Sequence, residues 1–442
     1  MSRRLLIITP FFPPQTHAAV FRAYKLAKFL PRHGWQVHVL TVGTNFGYNE
    51  DPSLLAALPA EVAVHRATYV EPTARGISFS LGLSDKRFTT LQAQARGAEV
   101  PARPSAAPSR PSLVRRLSRL ARAAVNIPDA YWPWFVPALL KARQIAEEHA
   151  IDLVFTSADP YTSHALGYAL KLSGRRWVAD LRDPHTHCHR TQSRIPWVFA
   201  LQRELERAAA EHADAVTVAA QSIAMILKES YGLTDDRRLH FIPTGLDESL
   251  ITPSERTSPR PYLIFCGEYL PDYGDAIFRH FAEALKNPEI AARGYEFLVV
   301  GRKEVNQPRL APSIEALELG PHVRFLDHMP QGELYRLIAG AEFATLCYGQ
   351  NALWWCLPAK LVDYHALRKP VLAVVPNPSE ARARLSETRL GIFLDGAQAQ
   401  ATFEAALLRG GASVTPDVSE CERYLATRQV EAFARVFEGV SS

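Results

Sequence analysis

The pattern that most constrains this chain is a strand–helix–strand alternation that runs, stops and then starts again. "RLLIITPFF" is a continuous apolar run ended by the punctuation "FFPPQ". "AVFRAYKLAKFLPRHG" follows, with Val20, Tyr24, Ala27 and Leu30 at three- and four-residue spacing and Gly34 as the stop. That is the period of a helix with one buried face. "WQVHVLTV" is the next strand, and "IDLVFTS", "RWVADL" and "DAVTVAA" are later ones. The helical stretches "SHALGYALKLSG" and "PWVFALQRELERAAAEHA" separate them, and "RLHFIPTG" closes this half. Near-continuous apolar strands alternating with helices predict a parallel sheet covered on both faces.

"DESLITPSERTSPRP", Asp247 to Pro261, has no apolar period and is rich in Ser, Thr and Pro, the composition of a linker. Beyond it the alternation restarts. "YLIFCG", "YEFLVVG", "VRFLDHM", "EFATLCY" and "VLAVV" are strands, and "AIFRHFAEALKN" and "QGELYRLIAGA" are helices. A chain of 442 residues is long for one core and fits two. The expected divisions are a first domain over 1–247, a linker over 248–261, a second domain over 262–418 and a last helical segment over 419–442.

Residues 72–127 break the pattern. "ARGAEVPARPSAAPSRPS" cannot build a core, so a flexible basic insertion is expected there. Within it, over 113–125, Leu113, Leu117, Leu120, Ala121 and Ala124 make one stripe, and Arg115, Arg116, Arg119 and Arg122 lie mostly off it. Two readings stay open: peripheral contact with anionic lipid, or a helix packed on its own domain with a solvated Arg face.

Composition excludes some classes. The apolar run after "MSRR" is five residues, too short for a secretory segment, and no run reaches the length of a bilayer span. The five cysteines, Cys188, Cys266, Cys347, Cys356 and Cys421, form no C-x-x-C pair. Reduced thiols and a cytoplasmic location, at the inner face of the membrane if the basic stripe docks there, are expected. A net charge of +5 does not point to nucleic acid.

In an open α/β sheet, ligands bind beyond the C-terminal ends of the strands. After the first strand, "TPFFPPQTHAAVFR" has no G-x-G-x-x-G, which argues against a dinucleotide cofactor. Its polar groups, His17 and Arg22, are candidates for the acceptor side, with Tyr161 of "ADPYTSH". Arg22 either reaches a phosphate or is a solvated helix residue. "LRDPHTHCHR" follows "WVAD" and is the densest polar run. Its histidine spacing matches no closed zinc motif, so no metal is expected. Asp180, Arg182 and Asp183 are the candidate catalytic groups, since a carboxylate there can take a proton or hold a hydroxyl and an arginine can neutralise phosphate. In the second half, Gly267 and Glu268 follow one strand, and Gly301, Arg302 and Lys303 follow another.

"PAKLVDYHALRKPVL" carries the sharpest signal. Pro358 suits the first position of a helix, whose N-terminus offers free N–H groups and partial positive charge to an anion. Lys360 in that first turn opposes the dipole unless an anion is present. Asp363 can accept hydrogen bonds from ribose hydroxyls. Lys before Asp at i,i+3 is also the weaker order for a helix pair. A nucleotide diphosphate with its ribose explains both residues better than a surface salt bridge does.

The stretches "LLIITPFFPP", "LAKFLPRHGWQVHVLT", "WVADLRDP", "FIPTGLD" and "PAKLVDYHALRKPVL", in this order from Leu5 to Leu372, resemble the retaining family 4 glycosyltransferases. The likeness is nearest to the bacterial branch that makes exopolysaccharide, capsule or lipopolysaccharide. The resemblance implies a GT-B fold, two Rossmann-like α/β domains facing a cleft. It implies a nucleotide-sugar donor held by the second domain, a glycan or polyprenyl-linked acceptor met by the first, no metal and no other cofactor. It also implies a last helix, about Ser419 to Phe437, that returns to the first domain. Under it, Asp363 contacts ribose, Lys360 matches the family's lysine, and Arg182–Asp183 stand where many relatives carry His-Asp.

The chain also departs from the family pattern. The first acidic residue, eight before Asp363, falls on Trp355, and "GEYLPDYGD" lacks the Arg and Lys found in many members. The Gly-Gly of the first loop is absent too. Neutralising the diphosphate then falls to Lys360, Arg302, Lys303 or Arg22. Sugar transfer leads on this reading. A non-catalytic module of the same fold and a nucleotide-sugar epimerase are the alternatives.

Overall fold

The structure, a computed structural model, describes residues 3–16, 18–43, 50–70, 127–188, 192–251, 260–270, 273–348 and 354–441. The chain divides into two compact units, Met1–Ile242 with Val430–Ser442, and Pro243–Gln429. The basic insertion and its stripe at 113–125 lie outside the described residues, as does His17.

The first unit is built on a seven-stranded sheet. Its strands are β1 (Arg3–Ile8), β2 (Trp35–Val42), β3 (Ala63–Ala67), β4 (Leu153–Ala158), β5 (Arg176–Leu181), β6 (Ala215–Val218) and β7 (Leu239–Phe241). The order is β3-β2-β1-β4-β5-β6-β7, and every pairing is parallel. Leu5 to Ile8 and Leu153 to Phe155 are buried, as central strands covered on both faces require. Residues 430–441 count with this unit. Phe437 packs edge-on against Trp35 and Phe155, with centroids 5.6 Å from each.

The second unit carries a six-stranded sheet: β8 (Tyr262–Cys266), β9 (Glu296–Val300), β10 (Val323–Leu326), β11 (Phe343–Cys347), β12 (Val371–Val374) and β13 (Gly391–Phe393). Its order is β10-β9-β8-β11-β12-β13, again parallel throughout. Each sheet reverses its strand order beside its first strand, at β1/β4 and at β8/β11. Those reversals open the crevice where such sheets take ligands.

Two segments were not foreseen in the sequence. The unit boundary falls at Ile242/Pro243, and the chain just after it is structured. Asp247 accepts a hydrogen bond from the Ser249 N–H at 3.1 Å and caps a short 3-10 turn, Glu248–Leu250. Glu248 then accepts the N–H groups of Ala426 and Thr427 at 3.0 and 3.1 Å, capping the last helix, Ala426–Ser441. The second segment is Lys303–Ala316, which is helical despite Pro308 and Pro312. Each proline removes one i→i−4 bond, so the stretch shows no helical signature in the sequence. Among the described residues no helix is long and apolar enough to cross a membrane.

Candidate functional site

The helix Ala359–Ala366 follows β11 and buries Leu361, Tyr364 and His365. Pro358, expected as the first helical residue, is instead its N-cap in extended backbone, one position before the helix begins. Helix ends shift by a residue readily, and the consequence is that Lys360 is the second helical residue. Tyr364 is one turn on, on the same face. Its hydroxyl accepts the Cys266 N–H at 3.2 Å, which docks this face under the end of β8.

Lys360 therefore points at β8. Its Nζ lies 3.6 Å from the centre of the Phe265 ring and 5.3 Å from that of Tyr273. A side-chain carbon placed on Gly267 would sit 3.7 Å from the same nitrogen. The stem is partly exposed, but Nζ is sealed and has no hydrogen-bond partner among the described residues. It makes no ion pair with Asp363, which is half-buried on the same helix. Burial pushes the amine down from 10.5 to about 7, only partly offset by the neighbouring Cys266 and Cys347 thiols. The aromatic faces favour a cation, yet three N–H donors there find no acceptor. An ammonium held dry and unbonded is costly unless an anion completes it.

Backbone geometry opens the space next to it. Gly267 has φ +101° and Gly301 φ +152°, and a side-chain carbon on Gly301 would come within 2.5 Å of the Gly267 carbonyl oxygen. Only glycine lets the ends of β8 and β9 approach in this way. Asn306, which is buried, fixes the approach: Nδ2 donates to the Gly267 carbonyl at 3.0 Å and Oδ1 accepts the Tyr269 N–H at 2.8 Å. Sequence reasoning missed Asn306, because it sits in the helix hidden by Pro308 and Pro312.

Arg302 was expected to stand free beside a diphosphate. Instead it is paired with Glu268, which also takes Arg309 at 2.7 Å. Burial alone would raise the Glu268 carboxyl, but the two guanidiniums outweigh it and hold the group below its usual range. Lys303 is exposed at the start of its helix. Trp355 is 4% exposed, so the position aligned with the family's first carboxylate is a buried ring.

In the first unit, the expected catalytic and acceptor residues mostly serve the domain itself. Arg22 grips Asp180 with two hydrogen bonds of 2.8 and 2.7 Å, and both side chains are essentially inaccessible. Ser157 and Thr217 donate to the same carboxylate at 2.8 and 2.6 Å. Burial pushes the Asp180 carboxyl up, but Arg22 and the hydroxyls more than reverse this and its pKa is lowered. An ion pair this complete leaves neither partner for a substrate. Arg182 lies along β4's end, where its Nε donates to the Ala158 carbonyl at 2.8 Å and another guanidinium nitrogen to that of Asp159. Tyr161 is fully buried and donates to Glu206 at 2.9 Å. These four positions, Asp180, Arg182, Arg22 and Tyr161, are thus each engaged by groups of the first unit itself. Asp183 remains half-buried next to them, its backbone oxygen accepting from Tyr161 at 3.4 Å.

Glu206 is the hub that the sequence hid. It is fully buried and accepts the His185 N–H at 2.7 Å, the Tyr231 hydroxyl at 2.8 Å and the Thr186 hydroxyl as well as Tyr161. The helix Pro196–His212 buries Val198, Gln202, Glu206 and Ala210. Two polar residues on an i,i+4 buried stripe were the available signal.

Comparison with known proteins follows the same lines. A family model described as Glycosyltransferase Family 4 matches residues 91–250. No curated protein matches the chain. Among solved structures, the chain is similar to an α,α-trehalose 6-phosphate synthase from Burkholderia multivorans, at TM-score 0.56 and 13% identity over 100% of this chain and 97% of the other. It is also similar to WaaG, a glycosyltransferase involved in lipopolysaccharide biosynthesis, at 0.51 and 12% over 99% and 98%. A third is a putative UDP-N-acetylglucosamine 2-epimerase from Listeria monocytogenes, at 0.52 and 9% over 98% and 94%. At such identities likeness speaks for the fold. The chain has the two parallel-sheet α/β domains of the GT-B glycosyltransferases, and the family match and the fold together support a glycosyltransferase.

Proposed function

We propose that the protein transfers a sugar, with retention, from a nucleotide-sugar donor to a glycan acceptor carried on a lipid, in the synthesis of a bacterial surface polysaccharide. The observation that carries this reading is Lys360: a dry, unbonded amine next to Gly267, at the N-terminal turn of a helix and at the reversal point of the second sheet. A donor diphosphate supplies the missing acceptor, and its departure with negative charge is what a fixed cation and helix dipole stabilise. Asp363 holds the ribose, Lys303 faces the same end of the sheet, and Asp183 orients a reacting hydroxyl. Neutralisation by Lys360 and helix N–H groups makes a metal unnecessary for the transfer. The basic stripe at 113–125 supports the lipid-linked acceptor and a site of action at the inner membrane face.

A thermal-shift screen against UDP, GDP, ADP and dTDP tests the reading. One nucleotide at about 100-fold over its Kd is expected to stabilise the protein by about 2.7 kcal/mol, and Asp363→Ala and Lys360→Met to abolish the response. The buried Trp355 and the Glu268–Arg302 pair favour a second reading, a non-catalytic module. It predicts no shift with any nucleotide and no turnover of any nucleotide sugar. Turnover of the donor sugar without acceptor would favour the epimerase.

A further inference from the structure

Far from Lys360 in the sequence, three histidines converge in the first unit. His38 lies on β2, His65 on β3, and His149 caps the C-terminus of the helix Phe135–Glu148. The parallel register pairs His38 with Ala63 and Leu40 with His65. Residues two apart share a face, so both imidazoles leave the sheet on one side. There the His38 Nδ1 and the His65 Nε2 stand 3.1 Å apart. The His149 ring centre is 4.3 Å from that of His38 and 6.1 Å from that of His65. One nitrogen from each residue lies within 4.8 Å of the other two, and no other group of three His, Cys, Asp or Glu among the described residues meets that spacing.

We propose that His38, His65 and His149 bind a divalent late first-row metal, with zinc as the reference ion. Imidazole is the preferred ligand of this group of metals. Ligands at about 2.0–2.1 Å from tetrahedral zinc stand a little over 3 Å apart, close to the His38–His65 separation. Three histidines leave a fourth position for water, since His38 is buried and the other two are half-buried. Two further features suit a cation. The helix Phe135–Glu148 ends at His149, so the negative end of its dipole points at the cluster. The His38 Nε2 is buried without a hydrogen-bond partner among the described residues, so the ring's polar contact is the one its Nδ1 makes with His65.

The site lies on the β2–β3 edge of the sheet, with β1 and β4 between it and β5, whose end leads to Asp183. It joins β2, β3 and a helix. This inference does not rest on the proposed function. It is tested on the tag-free full chain by calorimetric titration with zinc chloride and by the visible spectrum of the cobalt(II) form. One metal per chain is expected, with the intense bands of four-coordinate cobalt. His65→Gln and His149→Gln, both at half-buried positions, are each expected to weaken zinc at least about tenfold while keeping the far-UV circular dichroism of the parent. No stoichiometric zinc binding by the parent overturns the proposal. So does zinc binding that both variants retain unchanged, which would place the metal elsewhere in the chain.

Discussion

Lys360 is a residue whose burial costs stability, and the proposed diphosphate contact would be what it gains. Its pKa of about 7 lies below the 10.5 of an exposed lysine, so the unfolded chain binds more protons near neutral pH. The resulting penalty is present in full below about 7 and disappears as pH rises toward 10.5. Lys360→Met should therefore stabilise the protein at neutral pH by about 1–4 kcal/mol, allowing for the partly exposed stem. The gap should shrink as pH rises and close near pH 10.5. Urea unfolding of both proteins at the two pH values checks this, and a less stable Lys360→Met at neutral pH would show that the amine is not strained. Asp180 behaves in the opposite sense. Its lowered pKa adds stability above the ordinary carboxylate range, which is lost as pH falls through the folded value. The sequence singled out Lys360 because its conflict is local, between a charge and its own helix, and the structure shows its amine buried without a hydrogen-bond partner among the described residues. The sequence could not show that Arg22 closes on Asp180, because 158 residues separate them. Nor could it show that Arg302 is claimed by Glu268, 34 residues away. Charges were readable, but their partners were not.

At the scale of elements, the loop after β5 is held by bonds rather than by packing alone. Glu206 anchors that loop through His185 and Thr186, and it ties in Tyr161 and Tyr231. The Arg22–Asp180 pair ties the first helix, Val20–Phe29, to β5. Removing one partner leaves a buried charge uncompensated. Arg22→Met should cost about 3–5 kcal/mol, read by chemical denaturation, and a loss below about 1 kcal/mol would mean that the pair is solvated. Most strands and the amphipathic helices could be read from apolar periodicity. The helix Lys303–Ala316 could not, because its two prolines imitate a loop. β3, "AVHRA", was missed because two of its five residues are polar and it lies at the sheet edge.

For the whole molecule, two sheets with separate cores predict separate ligand responses. In differential scanning calorimetry, the nucleotide that binds beside Lys360 should raise the transition of the second unit, and zinc chloride that of the first. A single transition moved equally by both ligands would mean that the units unfold as one. The last helix matters in another way. The rings of Phe433 and Phe437 close over Phe155 and Trp35, and Arg176 donates to the Val440 carbonyl at 2.9 Å. The ribosome makes the first unit's seven strands early, but it makes the helix that covers them only after the whole second unit. The domain synthesised first is thus completed last. Until then its central strands wait with an apolar face uncovered, while the second unit already has nearly all of its own residues in hand.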